Sequence, residues 1–131
     1  MPETDLALIE RRIYTIRGVR VILDSDLAAL YGVPTKRLNE QYRRNRERFP
    51  EDFAFQVTAE EADFLRSQIA TSSSHGGRRY RPHAFTEYGA LMAANILNSA
   101  RSVQMSIFVV RAFAKMRGGA ARHACTRTEA R

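Results

Sequence analysis

Between Thr35 and Arg48 the chain reads TKRLNEQYRRNRER, with six basic side chains against two acidic ones. Guanidinium, ammonium and carboxamide groups at this density suit one chemistry, hydrogen bonding to phosphate oxygens and to base edges. On a helix turning about 100° per residue, Leu38, Tyr42, Asn45 and Phe49 share a stripe that suits a core. Lys36, Glu40, Arg43 and Glu47 fall opposite, flanked by Asn39 and Arg44. Read as a DNA element, this helix brings Thr35, Lys36, Asn39 and Arg43 to base edges. Arg37, Arg44, Arg46 and Arg48 then hold phosphates and set register. The competing reading is a solvated surface helix, with Lys36–Glu40 and Arg43–Glu47 as ordinary i,i+4 pairs. Two such pairs use up both acids and leave arginines in excess.

A second basic group, Arg78, Arg79 and Arg81, ends the stretch ATSSSHGGRRYR. A basic loop beside a DNA-reading helix can act as a wing that tracks phosphate or enters the minor groove; the alternative is a surface loop with incidental arginines. His75 and His83 bracket this loop without a neighbouring cysteine or carboxylate cluster, so no metal site is expected. His83, Glu87 and Tyr88 in HAFTEYG could resemble acid–base machinery. Their simpler roles are packing for Phe85 and Tyr88, a cap for Thr86, and a favourable helix-dipole position for Glu87. Serines 72–74 lack a glycine-framed elbow, and no GxxxxGK[ST] phosphate loop occurs. Neither an enzyme nor a cofactor is expected.

The charge is segregated. The net charge of +7 arises from +4 over residues 34–48 and +8 over residues 71–131, with the remaining segments negative. Such blocks favour an acidic partner, most often nucleic acid. With 44% hydrophobic and 27% charged residues in 131 positions, one globular core is expected. No apolar run reaches the ~18 residues that read as a membrane span. MPETDLALIE does not read as a signal peptide, and a single cysteine, Cys125, suits a reducing cytoplasm.

These groups need elements to hold them. A short helix over 4–11 precedes RIYTIRGVRVILD, a hairpin pivoting on Arg17-Gly18, with Val19, Val21 and Leu23 on one face. Asp24 or Ser25 can cap a helix over about 25–31 that ends at Gly32. Pro34 then opens a second helix over about 35–47. Two helices joined by a glycine turn match the helix-turn-helix plan. Ala28 is the small crossing residue, Leu27, Leu30 and Tyr31 the inner side, and Val33 and Leu38 the locks. FPEDFAFQVT predicts a strand with Phe53, Phe55 and Val57 on one face. Thr58-x-x-Glu61 is a capping box opening a helix to about Ile69. YRPHAF predicts an edge strand because of its proline. A helix follows Thr86, and a last one spans about 100–117 with Val103, Ile107, Val110 and Phe113 or Ala114 on one face. That face serves the core or a partner. Residues 118–131 lack periodicity and predict a basic flexible tail.

The strings IRGVRVILDSDLAALYGVPTKRLNEQYRRNRERFPEDFAFQVT, LRSQIATS, RRYRPHAFTEYGALMAANILNSARS and VVRAFAKMR resemble the ORF-six N-terminal domain, related to the KilA-N and Bro-N domains of phages and large DNA viruses. The resemblance covers roughly residues 8 to 117. It implies a small α+β DNA-binding domain over 1–117, winged-helix-like, in a phage or prophage transcription regulator or antirepressor. The expected partner is double-stranded DNA, with a homodimer or a repressor protein at the C-terminal helix. The alternative function is an antirepressor that binds another repressor without touching DNA.

Overall fold

The computed structural model describes residues 2–68 and 81–128. Its elements are α1 (Pro2–Arg11), β1 (Ile13–Ile16), β2 (Val19–Leu23), α2 (Asp24–Tyr31), α3 (Thr35–Arg44), β3 (Ala54–Gln56), α4 (Ala59–Gln68), β4 (His83–Phe85), α5 (Glu87–Leu97) and α6 (Ala100–Thr128). A 3-10 turn, Arg46–Arg48, follows α3. The expected α+β class holds: a hairpin, a two-helix unit, a short antiparallel sheet and two C-terminal helices.

The hairpin turns on Arg17 (φ 57°) and Gly18 (φ 78°), two positive φ values that match the right-handed twist of the flanking strands. Pairing Ile13 with Ile22 and Tyr14 with Val21 puts alternate side chains on opposite faces. Both faces are covered. Ile13, Ile22, Ala54 and Phe85 face the main core with residues of α1, α2, α3, α5 and α6. Val21, Leu23, Phe55 and Ala84 face a smaller cluster closed by Ala62 and Leu65 of α4. The capping box of α4 forms in both directions: Thr58 N donates to Glu61 Oε1 (2.8 Å) and Glu61 N to Thr58 Oγ1 (3.1 Å).

The structure corrects four sequence expectations. The strand order is β1-β2-β4-β3, so β4 lies inside the sheet and not at its edge. Pro82 stops one residue short of the paired segment, and its missing N–H therefore costs no ladder bond. β3 is three residues long. Phe53 falls in the preceding turn and packs on the main core, so it does not share a face with Phe55 and Val57. α3 ends at Arg44 instead of about 47. Asn45 leaves helical geometry (φ −114°, ψ 34°), its amide donates to Gln41 O at 2.8 Å, and Phe49 (φ −124°, ψ 76°) is outside the α region that Pro50 disfavours for it. Finally, α6 continues to Thr128, and its packed stripe is Ser102, Val109, Ala112 and Phe113, while Val103 and Ile107 are about half exposed (51% and 49%). The small residues Ser102 and Ala112 let neighbouring helices come close. Ser102 Oγ donates to Ala94 O of α5 at 3.2 Å.

Candidate nucleic-acid interface

The site starts from the turn between α2 and α3. Gly32 caps α2 in the left-handed region (φ 75°), which glycine enters without steric cost. Val33 N then donates to Ala28 O at 3.0 Å, closing the α2 terminus. Ala28 is buried, as a crossing residue must be, and so are Leu27, Tyr31 and Leu38. Val33 and Leu30 are partly buried against the same core. Tyr31 Oη donates to Ala90 O at 2.9 Å, pinning α2 to α5, and its burial raises the hydroxyl's pKa well above the ordinary tyrosine value.

α3 has two sides. Its inner side is aromatic: Tyr42 meets Phe49 at 5.1 Å, His83 at 4.8 Å and Phe85 at 5.8 Å between ring centroids, in edge-on or tilted arrangements that favour such rings. Lys36, Arg37, Arg43 and Arg44 are exposed, and with Glu40 they fall within an arc of roughly 120° on the opposite side. Arg48 is exposed on the 3-10 turn. Among the described residues, none of these five cations has a side-chain hydrogen bond or ion pair, and Lys36–Glu40 and Arg43–Glu47 do not pair. Thr35 is half-buried at the start of the helix.

Other expected contact residues are engaged elsewhere. Asn39 turns inward, its Nδ2 donating to Asp24 Oδ2 at 3.1 Å. Arg46 folds back, with its guanidinium 5.2 Å from the Tyr42 ring centroid and a 3.3 Å bond to Phe49 O. Arg81 bonds Gln56 Oε1 at 3.0 Å. Arg78, Arg79 and His75 lie outside the described residues. His83 sits beside Asp24, with Nδ1 to Oδ2 at 3.7 Å. No cluster of three or more histidine, cysteine or acidic side chains among the described residues is placed to hold a metal.

Two residues that the sequence analysis did not assign to the site shape it, Asp24 and Arg101, and Arg17 ties the hairpin to α4. Asp24 is fully buried and does not act as the helix cap; it accepts from Ser25 N, Asn39 Nδ2 and His83 N. Arg101 of α6 lies over the turn: its Nε donates to Leu30 O at 3.1 Å, and a Cβ built on Gly32 would come within 2.7 Å of its Cδ. Arg17 pairs with Glu61 through two bonds, 2.8 and 3.0 Å, and sits 4.1 Å from the Phe55 ring centroid. The Arg17 hydrogen bonds hold the Glu61 carboxyl below its usual pKa. The Arg101 contact lies 71 positions away; for Asp24 the adjacent Ser25 N signalled only a cap, while its partners Asn39 and His83 lie 15 and 59 positions away.

Fold and site together define a small α+β domain that presents a basic helix, from a helix-turn-helix pair, off a four-stranded sheet. Residues 11–96 match the model of the ORF6N domain, and the chain belongs to that family, in agreement with the resemblance read from the sequence. No curated protein and no solved structure matches the chain significantly. No helix among the described residues is long and apolar enough to cross a membrane.

Proposed function

We propose that the chain binds double-stranded DNA sequence-specifically, as a phage- or prophage-type transcription regulator or antirepressor in a bacterial cytoplasm. The observation that carries this reading is the exposed set Lys36, Arg37, Arg43, Arg44 and Arg48, five cations without a protein partner among the described residues. A helix anchored on one side and cationic on the other suits the major groove. Lys36 and Arg43, with Thr35, lie toward the bases in this reading; Arg37, Arg44 and Arg48 take phosphates, joined by the arginines at 78, 79 and 81. The function is binding without catalysis and calls for no cofactor.

A second reading, a contact with another copy or with a repressor protein, is favoured by the exposed Val103 and Ile107 of α6 and Leu91 of α5. Binding to a random duplex pool across a salt series tests the first. Neutralising about five phosphates gives a log–log slope of about −4 to −5. A steep slope with enriched sequences supports specific DNA binding. Absence of binding at low salt would discard it and leave the protein contact.

A further inference from the structure

Asp24 is the only buried charged side chain among the described residues, with no surface to offer a ligand. A buried carboxylate is costly unless hydrogen-bonded, and its bonds reach three segments. Oδ1 accepts from Ser25 N of α2 at 2.7 Å. Oδ2 accepts from Asn39 Nδ2 of α3 and from His83 N of β4, both at 3.1 Å. Tyr42, three residues beyond Asn39, lies against the His83 ring at 4.8 Å. α3 is thus fixed to β4 both through the carboxylate and through a ring contact.

The position of Asn39 gives this clamp its consequence. Lys36 and Arg43 stand three residues before it and four after it, on neighbouring turns of the same helix. The apolar contacts of Leu38 and Tyr42 press α3 onto the core but are non-directional. A charge-assisted hydrogen bond is directional, so the Asp24–Asn39 bond sets the rotation of α3 about its own axis. That rotation decides where Lys36 and Arg43 point. The His83 bond ties the same carboxylate to the segment that Arg81 opens, which fixes that basic strand entry against α3.

We infer that Asp24 is a positioning residue for DNA reading, acting through Asn39 and His83 to hold the cationic side of α3 in register with the chain entering β4. This rests on the DNA-binding reading above. It also reassigns Asn39, whose amide works inward as an anchor and not outward on a base.

The test uses the wild type, Asp24→Asn, Asn39→Ala and the double variant, at a temperature where circular dichroism shows all four folded. Affinity is measured on a duplex selected from the random pool and on an unselected duplex. Asp24→Asn sets an amide donor against the donors of Asn39 and His83. Each single variant should lose about tenfold or more on the selected duplex, the scale of one or two mismatched base pairs, with a much smaller loss on the unselected one. The double variant should lose no more than the worse single, because both changes break one bond. Loss of selectivity in Asn39→Ala with Asp24→Asn unaffected would make Asn39 a direct base reader and overturn the inference. Lower melting temperatures with unchanged selectivity would make Asp24 merely structural and overturn it too. If Asp24→Asn does not fold, the exchanged pair Asp24→Asn with Asn39→Asp restores a donor and an acceptor. Retained selectivity then supports the inference, and lost selectivity in a folded protein overturns it. Failure of the wild type to bind either duplex removes the DNA reading, and this inference with it, which separates the two failures.

Discussion

At the scale of single residues, the exposed cations and the buried anchors should separate cleanly. Replacing Arg43 and Arg44 by alanine removes no side-chain hydrogen bond or ion pair among the described residues, so stability should change by about 0.5 kcal/mol or less in thermal unfolding. The salt slope of DNA binding should become shallower by about one to two, according to how many of the two hold phosphates. Glu61 gives a contrasting case. Its carboxylate completes the capping box and accepts from Arg17; Glu61→Gln keeps an oxygen for Thr58 N but loses the partly exposed ion pair, so it should cost about 0.5–1 kcal/mol. Because these bonds lower its pKa in the folded state, their contribution is present above the unfolded carboxylate value and fades as pH falls through the folded one. Urea midpoints between pH 7 and 3 should therefore converge for wild type and variant at the acid end. The residues legible in advance were those whose work is local: the Thr58–Glu61 box, Arg17-Gly18 and Gly32. The wheel sets Asn39 at the flank of the outer stripe, because a wheel records angle and not partners. A partner fifteen residues away, Asp24, turned it inward.

At the scale of elements, the two-helix unit is held from outside as much as from within. Gly32 has a left-handed backbone and no room for a Cβ beneath Arg101. Gly32→Ala should thus destabilise by more than about 1 kcal/mol, through backbone strain and displacement of the arginine. Adding Arg101→Ala should relieve the steric part and leave the strain, which a double-mutant cycle in denaturant would resolve. The hairpin, the helix pair and the capped α4 were readable because each is specified within a few neighbouring residues. The place of β4 was not. Proline demotes a strand only when it falls among paired residues, and Pro82 stands just before them. The packed side of α6 is illegible for a related reason: Val103 and Ile107 are the larger side chains, yet the approach of α5 selects the small Ser102, whose hydroxyl bonds Ala94 O.

At the scale of the whole molecule, one sheet separates two cores of unequal weight. Phe85 lies in the larger, fully buried between Tyr42 and Phe49, and Phe85→Ala should cost about 3–5 kcal/mol, with DNA binding lost along with the fold. Val103→Asp with Ile107→Asp tests the exposed face of α6. Both positions are half exposed, so the folded chain should keep its melting temperature and its affinity for a single half-site. If that surface joins two copies, sedimentation should show the variant as a monomer where the wild type self-associates, with weaker binding to a two-fold site.

The interior position of β4 also has a consequence during synthesis. α3 is translated about forty residues before the strand that receives Tyr42 and satisfies Asp24, and at roughly 5–20 residues per second that interval lasts seconds. Throughout it the cationic helix lacks the inner strand of its sheet, Asp24 lacks the bond from His83 N, and β2 and β3 each present an open edge. A nascent or prematurely terminated chain that stops short of residue 83 therefore carries its charge without its geometry. On the proposed DNA-binding function, such a chain would adhere to nucleic acid through the phosphates without discriminating among sequences, and selectivity would arrive only when His83–Phe85 slot between the two waiting strands.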